Sequence, residues 1–196
     1  MMYAHPDQLR PTQMTIGSRY VNAKALLTER HRWNVDAFMA RHAVHVALGP
    51  HNAMYVVDHH HWACAWQRAG FDRLPVHVVA DFSGCSEDAF WEQMQDRHWL
   101  HPFDEHGVRS SLAELPLVLH EMADDPYHSL SAFARRAGAY RKPNHAYESF
   151  VWADFFRARV PIHDSSEAAF ALALVHAIRV ARTRDAASMP GFIGKR

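Results

Sequence analysis

Four consecutive titratable residues, Asp58, His59, His60 and His61, directly follow the apolar segment 55–57. The residues after them have the pattern of a helix, so the four lie at a predicted junction between a strand and a helix. The first turn of a helix carries unpaired backbone N–H groups and the positive end of the helix dipole, which favour phosphate. Imidazoles add hydrogen bonds to such a site. The junction therefore predicts an anion-binding pocket.

Each of these side chains has a candidate role. Asp58 is predicted to be catalytic, either as a base or as the ligand of a magnesium ion that bridges phosphates. His60 and His61 are predicted to contact the phosphate in the catalytic site, and His59 is predicted to line it. The alternative is that Asp58 only caps the helix and that the histidines are ordinary surface residues.

Zinc binding is a further alternative for the histidines. Consecutive side chains on a helix point about 100° apart, so His60 and His61 cannot bind one zinc ion together. His59 and His61 can do so only if the segment is extended, and His42 and His45, although suitably spaced, are predicted at the surface. We therefore expect no structural metal, and we favour a magnesium ion bound through a nucleotide.

The surrounding elements must position the junction. Apolar residues alternate with others over 44–48, residues 54–57 are apolar, and residues 49–52 between them favour a turn, so a hairpin is predicted. The alternation at 75–80 predicts another strand. Helix starts are predicted at Ser18, Asn34 and Ser86, and a helix end at Gly70. The first half of the chain is thus predicted to be mixed α and β.

The second half is predicted to be helical. Four stretches have helical spacing, namely 112–123, 129–137, 146–157 and 165–183. The break at 102–107 is the predicted boundary. We therefore expect an α+β core over residues 1–105 and a helical region over residues 106–196 that packs on it.

Composition narrows the class of protein. Lysine and arginine number 21 and aspartate and glutamate also number 21, so no overall basic field favours DNA or a membrane surface. Two cysteines are too few for a disulfide framework. No signal peptide or membrane-spanning segment is visible, so a cytoplasmic protein is expected. The 17 histidines predict that charge changes steeply below pH 7.

The chain resembles the ParB/sulfiredoxin-like superfamily, and within it the ParB-like nuclease branch. The resemblance rests on the strand, the short acidic and histidine-containing motif at 57–61 and the helix after it. It extends over most of the chain through 9–13, Gly17, Lys24, 90–91, 124–127, 129–130, Gly138, Tyr140, 152–154 and Arg157.

This resemblance implies a ParB/sulfiredoxin-like α+β fold with a small mixed sheet and an all-helical C-terminal extension. It also implies a phosphate- or nucleotide-binding enzyme, such as a small-molecule phosphotransferase that uses ATP/ADP or CTP with Mg²⁺. In relatives the motif often reads Asp-Gly-His-His-Arg, so His59 takes the place of a glycine and Trp62 that of an arginine. Losing that arginine removes a bidentate phosphate clamp.

Other side chains are expected to complete the pocket. Lys24 is the leading substitute for the missing arginine, with Arg136 and Lys142 behind it. Gln13 stands at a polar position that contributes to the pocket in relatives, although it can instead tie two backbone segments together. Cys64 is not in register with the cysteine of sulfiredoxins, so a buried, inert thiol is expected.

The alternative function is that of a DNA-associated ParB-like protein, either a nuclease or a non-catalytic binding module. Residues 129–138 resemble the first helix and turn of a helix-turn-helix, and Arg135, Arg136, Arg141 and Lys142 make that segment basic. The aromatic residues of the following helix are more typical of a core than of a base-stacking surface.

Overall fold

The structure is a computed structural model that describes residues 1–142 and 147–194. The chain forms two compact units, Met1–Asp124 and Asp125–Arg196. The segment 102–107, where the sequence predicts the boundary, lies inside the first unit. It is held there because the His101 N–H donates to the Thr12 carbonyl and the Met14 N–H donates to the His101 carbonyl.

The first unit is built on two sheets. Its strands are β1 (Met2–Ala4), β2 (Leu9–Pro11), β3 (Thr15–Ile16), β4 (Val44–Leu48), β5 (Met54–Asp58), β6 (Leu74–Asp81) and β7 (Ala123–Asp124). Five of them form a mixed sheet in the order β1-β6-β4-β5-β2, and β3 pairs with β7. The predicted hairpin is confirmed, because β4 and β5 are antiparallel neighbours. Strand β6 lies on the other side of β4 and runs parallel to it.

Four helices complete the first unit: α1 (Ser18–Glu29), α2 (Val35–Ala40), α3 (His60–Arg68) and α4 (Glu87–Asp96). Ser86 caps α4 as predicted, since its hydroxyl accepts from the Ala89 N–H. Gly70 follows α3 with a φ of 81°, the left-handed conformation that glycine adopts readily. Helix α1 begins at Ser18, with Gly17 rather than Ser18 at the N-cap.

The two faces of the five-stranded sheet carry different cores. Val44, Val46 and Val56 point into a cluster with the buried side of α3. Ala47 and Tyr55 point the other way and pack against α4. We call this second side the α4 face. His45 shares it with Ala47, because alternate residues of a strand point to the same side.

The helix predicted over 112–123 is wrong. This segment contains only short 3-10 turns at Leu112–Glu114 and Leu119–Glu121, and it ends in β7. Pro116 is the physical reason, because proline lacks the N–H that a helix needs and pushes the residue before it out of the helical region. Leu115 accordingly has a ψ of 135°.

The second unit contains α5 (Pro126–Arg136), α6 (Glu148–Arg157) and α7 (Glu167–Val180). No strand occurs among its described residues, which agrees with the expected all-helical region. Ala146, where the sequence predicts the start of α6, lies outside the described residues. The core of the unit includes Trp152 and Phe156, both fully buried. No helix in the described ranges is long and apolar enough to cross a membrane.

Candidate functional site

The junction between β5 and α3 depends on an unusual backbone conformation at His59. Strand β5 ends at Asp58, α3 begins at His60, and His59 between them has φ 70° and ψ 24°. This left-handed conformation costs a residue with a side chain about 1–2 kcal/mol. Histidine therefore keeps the backbone path that a glycine allows in relatives.

Hydrogen bonds hold His59 in this conformation. Its Nδ1 lies 2.8 Å from the Ala43 carbonyl oxygen and 3.2 Å from that of His42. A carbonyl only accepts, so Nδ1 carries the proton and Nε2 is the nitrogen that can serve a ligand. The Asp58 carboxylate accepts from the His59 N–H at 2.7 Å. The carbonyls of His42 and Ala43 thus hold the His59 ring, and the Asp58 carboxylate holds its backbone.

His60 points inward instead. It is 7% exposed, and its Nε2 lies 3.4 Å from the Thr12 hydroxyl oxygen and 3.5 Å from the Thr12 nitrogen. Burial lowers the pKa of His60 to about 4. The ring is therefore neutral at pH 7 and ties β2 to the junction. Its predicted contact with phosphate stays a prediction, and the side chain lies on the buried side of α3.

The buried imidazole of His60 makes stability depend on pH. Because its folded pKa lies below the unfolded value of 6.5, the stability it provides is complete above pH 6.5 and is lost as pH falls toward 4. The full loss is about 3 kcal/mol. We expect the free energy of unfolding, measured in urea at pH 7.5 and pH 5, to fall in the wild type.

The free energy of unfolding of the His60→Gln variant is expected to fall much less over the same pH range. His77→Gln, at an exposed histidine, should show the pH dependence of the wild type. If His60→Gln shows the wild-type pH dependence, another group is responsible for the acid sensitivity.

Lys24 and His61 flank the first turn of α3. The Lys24 ammonium lies 4.0 Å from the centre of the Trp62 ring and 5.0 Å from that of Tyr20. The His61 ring meets the Tyr20 ring edge-on at 5.0 Å. Trp62, at the position of the missing arginine, is buried and binds the Lys24 cation through its ring. A positive charge therefore remains beside the junction.

The sheet places a row of polar side chains next to the junction. His45 on β4 is paired with His77 on β6 and, beside an irregularity in the register, with Asp58 on β5. The His45 Nδ1 lies 4.0 Å from the Asp58 Oδ2, and its ring centre lies 5.7 Å from that of His77. His59 continues the row, with its ring centre 4.8 Å from that of His45. We call His77, His45, Asp58 and His59 the histidine row.

The row sets the charges of its own members. Burial and the neighbouring His59 lower the pKa of His45, although Asp58 acts against them. The Asp58 side chain is 61% exposed, and its partial desolvation acts to raise its pKa. The charge and backbone N–H of His59 outweigh this effect and leave that pKa below its usual value. At pH 7 the site therefore holds an ionised carboxylate beside a neutral imidazole. The two side chains lie 4.0 Å apart, close enough for a charge interaction but beyond hydrogen-bonding distance.

Sequence reasoning did not select His45 and His77. Both alternate with valines along their strands, which marks them as residues of one face, but the sequence does not reveal which strands are neighbours. Conversely, the Gln13 side chain is buried and donates to the Thr15 carbonyl, two residues further along the same segment, at 2.7 Å. Its predicted contact with a ligand stays a prediction. Arg136 and Lys142 belong to the second unit and are exposed; their assignment to this pocket stays a prediction.

Metal binding has little support from the described side chains. Within residues 1–142 and 147–194, no three His, Cys, Asp or Glu residues are arranged to hold a metal ion. Asp58 can offer one carboxylate to a magnesium ion whose other ligands are phosphate oxygens and water, which is a common way for proteins to bind this ion. Burial raises the pKa of Cys64 to about 12, so its thiol is inert.

Two cavities lie away from the histidine row. One of about 490 Å³ lies between the start of β2, the turn from β4 to β5 and α4. The other, of about 320 Å³, lies between β3 and residues 104–123. Neither is lined by residues of the row. Asp58 and His77 are exposed and His45 and His59 are half-buried, so the row lies at the surface.

Comparison with known proteins identifies relatives over most of the chain. A family model described as "Putative ParB-like nuclease" matches residues 3–158. The chain is similar to protein Atu1540 from Agrobacterium tumefaciens, a crystal structure with 35% sequence identity and a TM-score of 0.89. The match covers 100% of this chain and 97% of that one. No curated protein matches.

A second solved structure is more distant. The C-terminally truncated chromosome-partitioning protein ParB from Caulobacter crescentus, in complex with the centromeric parS site, has 13% identity and a TM-score of 0.32. The match covers 93% of this chain and 98% of that chain. At that TM-score the two backbones superpose poorly.

Proposed function

The chain belongs to the ParB-like nuclease family, and on that premise we propose that the histidine row hydrolyses phosphodiester bonds. The observation that carries the proposal is the pairing of His45 with Asp58 and with His77 across three adjacent strands. Hydrolysis of a phosphodiester needs a base for the attacking water and an acid for the leaving oxygen. The row offers both kinds of group within one span of side chains.

The roles follow from the charges. Neutral His45 takes a proton from a water molecule, and the water oxygen forms a new bond to phosphorus. The bond from phosphorus to the leaving oxygen breaks, and a proton passes from the Nε2 of His59 to that oxygen. Asp58 stabilises the imidazolium of His45 through its negative charge. Proton exchange with solvent then restores both rings.

Positive charge beside the first turn of α3 supports binding of the phosphate. Lys24 is held next to the first turn of α3 by Trp62. The N–H groups of that turn and the helix dipole favour an anion at the same place. These groups stabilise the negative charge that develops on phosphorus-bound oxygens during the reaction. In this proposal His60 acts only by fixing the turn.

Nucleotide-dependent phosphotransfer is the competing proposal for the same site. In it ATP, ADP or CTP would bind with Mg²⁺, Asp58 would supply a carboxylate ligand, and the ion would neutralise phosphate charge. The exposed side chain of Asp58 fits that role, but a single carboxylate provides a weak site. Lys24 and His59 would contact the phosphates in either reaction.

One experiment separates the two reactions. The purified full chain is incubated with bis(p-nitrophenyl) phosphate and with single-stranded DNA and RNA, with EDTA or with Mg²⁺, from pH 5 to pH 8. Release of p-nitrophenol and of shorter strands is the expected result. Nucleotide-dependent thermal stabilisation and consumption of ATP or CTP, without any cleavage of the diesters, would overturn hydrolysis in favour of phosphotransfer.

A second candidate function, DNA binding by the helical unit, is favoured by its charge. The chain has no net charge, but its two units carry charges of opposite sign. Asp125–Arg196 has eleven Lys and Arg residues and six Asp and Glu residues, whereas Met1–Asp124 has ten Lys and Arg residues and fifteen Asp and Glu residues. The formal net charges are therefore +5 and −5. Arg141 and Lys142 are consecutive and exposed, and Arg136 is exposed five residues before Arg141. Clustered cations of this kind neutralise phosphates.

Replacing Arg136, Arg141 and Lys142 together with Gln is expected to weaken DNA binding. Each lost phosphate contact should reduce the slope of log affinity against log salt by about one. Fluorescence anisotropy with a labelled duplex, at several salt concentrations, measures both quantities. The control replaces Arg30, Arg32 and Arg41 of the acidic unit. Equal effects of the two triple variants would contradict a DNA surface on the helical unit.

A further inference from the structure

The cavity of about 320 Å³ between β3 and residues 104–123 has an acidic lining. Of the ten described residues that line it, four are acidic and none is Lys, Arg or His. The acidic residues are Asp104, Glu105, Glu114 and Glu121. The volume is near the lower end of the range for small-molecule sites in proteins. We call this site the acidic cavity, and its charge favours a cation over an anion.

Backbone N–H groups fix three of the four carboxylates. The Glu114 Oε2 accepts from the Ser111 N–H at 2.8 Å, and the Glu121 Oε2 accepts from the Leu117 N–H at 3.0 Å. The Asp104 carboxylate accepts from two N–H groups of the turn that follows it. No Lys or Arg in the described part of the chain forms an ion pair with Glu114 or Glu121. The negative charges are therefore held in place but not neutralised at these two glutamates.

A buried hydroxyl points toward the same cavity. Thr15 on β3 is 1% exposed and lines the acidic cavity, and its Oγ1 has no hydrogen-bond partner among the described residues. The next residue, Ile16, packs into the core cluster that contains α3. Because successive side chains of a strand point to opposite sides, Thr15 points away from that core. A buried hydroxyl without a partner is unfavourable, and a ligand with N–H donors supplies the missing hydrogen bond.

The rest of the lining is aliphatic. Leu115, Pro116 and Leu117 lie between Glu114 and Glu121 in the chain and line the cavity with them. Leu117 is 68% exposed, which is unusual for a large apolar side chain. A chain of methylene groups that covers these residues removes apolar surface from water. The cavity thus combines surfaces for charge and for hydrocarbon.

The spread of the carboxylates selects a long cation rather than a metal ion. Among the residues that the structure describes, no three His, Cys, Asp or Glu side chains are arranged to hold a metal ion. The acids come from two separate segments, 104–105 and 114–121. A ligand with one positive charge pairs with the acids of one segment only. A ligand with two charges joined by a flexible chain can reach both.

We propose that the acidic cavity binds a linear aliphatic polyamine. One ammonium group pairs with Glu114 and Glu121, and a second pairs with the acids at 104–105. The methylene chain between them packs on Leu115 and Leu117, and an N–H of the ligand donates to the Thr15 hydroxyl. The site does not require the hydrolysis proposed for the histidine row, so each proposal can fail without the other.

Simple amines test the chemical class of the ligand. Isothermal titration calorimetry of the full chain compares putrescine and spermidine with butylamine, which has the carbon chain of putrescine but one charge. We expect millimolar or tighter binding of a polyamine, at least about tenfold weaker binding of butylamine, and loss of affinity with added NaCl. Absence of polyamine binding would overturn the proposal. Equally tight binding of butylamine or of acetyl-lysine amide would also overturn it, in favour of a lysine side chain from a protein partner.

Two variants locate the ligand. The double variant Glu114→Gln, Glu121→Gln removes two charges and keeps the oxygens that accept from the backbone. Its matched control is Glu92→Gln, Asp96→Asn, at two exposed acids of α4 that do not line the cavity. We expect the cavity variant to lose at least about tenfold in affinity and the control to bind normally.

Thr15→Val tests the hydroxyl by itself. We expect weaker polyamine binding without a lower melting temperature, because the hydroxyl has no partner whose hydrogen bond is lost. If both cavity variants bind polyamines as tightly as the wild type, the ligand lies elsewhere and the proposed site is refuted.

Discussion

Replacing His45 with Gln is expected to lower the rate of phosphodiester hydrolysis by about 10²- to 10⁴-fold, the usual contribution of a general base. The substitution keeps a polar side chain on the half-exposed position of β4, so the melting temperature should change little. The rate is measured with bis(p-nitrophenyl) phosphate under the conditions that give activity in the wild type.

Asp58→Asn should have an effect of similar size. An Asn side chain can still accept from the His59 N–H, so the turn before α3 is preserved while the negative charge beside His45 is removed. Because the two residues act as a pair, the double variant should be little worse than either single variant. His120→Gln, at an exposed histidine outside the row, is the control. A fully active His45→Gln enzyme would contradict the proposed base.

The pH profile gives an independent measure of the base. The pKa of His45 lies below its usual value of 6.5, and the ring must be neutral to accept a proton. The rate should therefore fall as pH decreases through a pKa below 6.5, and this acidic limb should be altered in Asp58→Asn, because the carboxylate acts to raise that pKa.

Replacing Arg157 with Ala is expected to destabilise the helical unit by about 3–5 kcal/mol, the usual cost of leaving a buried charge without its partner. The Asp125 side chain is 1% exposed, and the Arg157 Nη2 lies 2.7 Å from its Oδ2. Asp125 also caps α5 by accepting from the Tyr127 N–H at 2.8 Å. Without the guanidinium, the chain must bury an isolated carboxylate or protonate it.

Lower pH should reduce the difference in stability between Arg157→Ala and the wild type. Burial raises the pKa of Asp125, and the Arg157 charge opposes the rise. A carboxyl group whose folded pKa is raised binds a proton more readily in the folded state, so the variant should recover stability relative to the wild type as pH falls toward that pKa. Urea unfolding at pH 7 and pH 5 measures both differences.

Arg136→Ala provides the matched comparison, since Arg136 is exposed on the same unit. Its replacement should lower the free energy of unfolding by less than about 0.5 kcal/mol. The ion pair would be shown to be unimportant if Arg157→Ala were no less stable than Arg136→Ala at pH 7.

Several parts of the fold were predictable because they depend on local sequence. The alternation of valines on either side of the turn at 49–52 predicts the hairpin, and Ser86 and Gly70 mark helix ends through hydrogen bonding and backbone freedom. The segment 112–123 shows where such reasoning failed. Its apolar spacing resembled a helix, but Pro116 interrupts the hydrogen bonds of a helix in the middle of the segment.

The candidate site was also predictable from the sequence only in part. The motif at 57–61 correctly indicated a strand that runs into a helix, and the resemblance it carries is confirmed by the family match. The motif did not predict which of these histidines is buried and which is exposed. His60 and His61 are neighbours in sequence, yet the rotation of about 100° per residue turns His60 into the core.

By itself, the sequence determined most of the strands and helices and the presence of ionisable groups at the junction, because these follow from interactions between residues close together in the chain, and its motifs indicated the family. Only the tertiary structure decided that His45 and His77 stand beside Asp58, and that a neutral chain separates into units of charge −5 and +5. Strand β6 pairs with β4 across the intervening β5 and α3, and a shift of one residue would have turned His77 to the other face. That register is set by the burial of valines on the opposite side of the sheet.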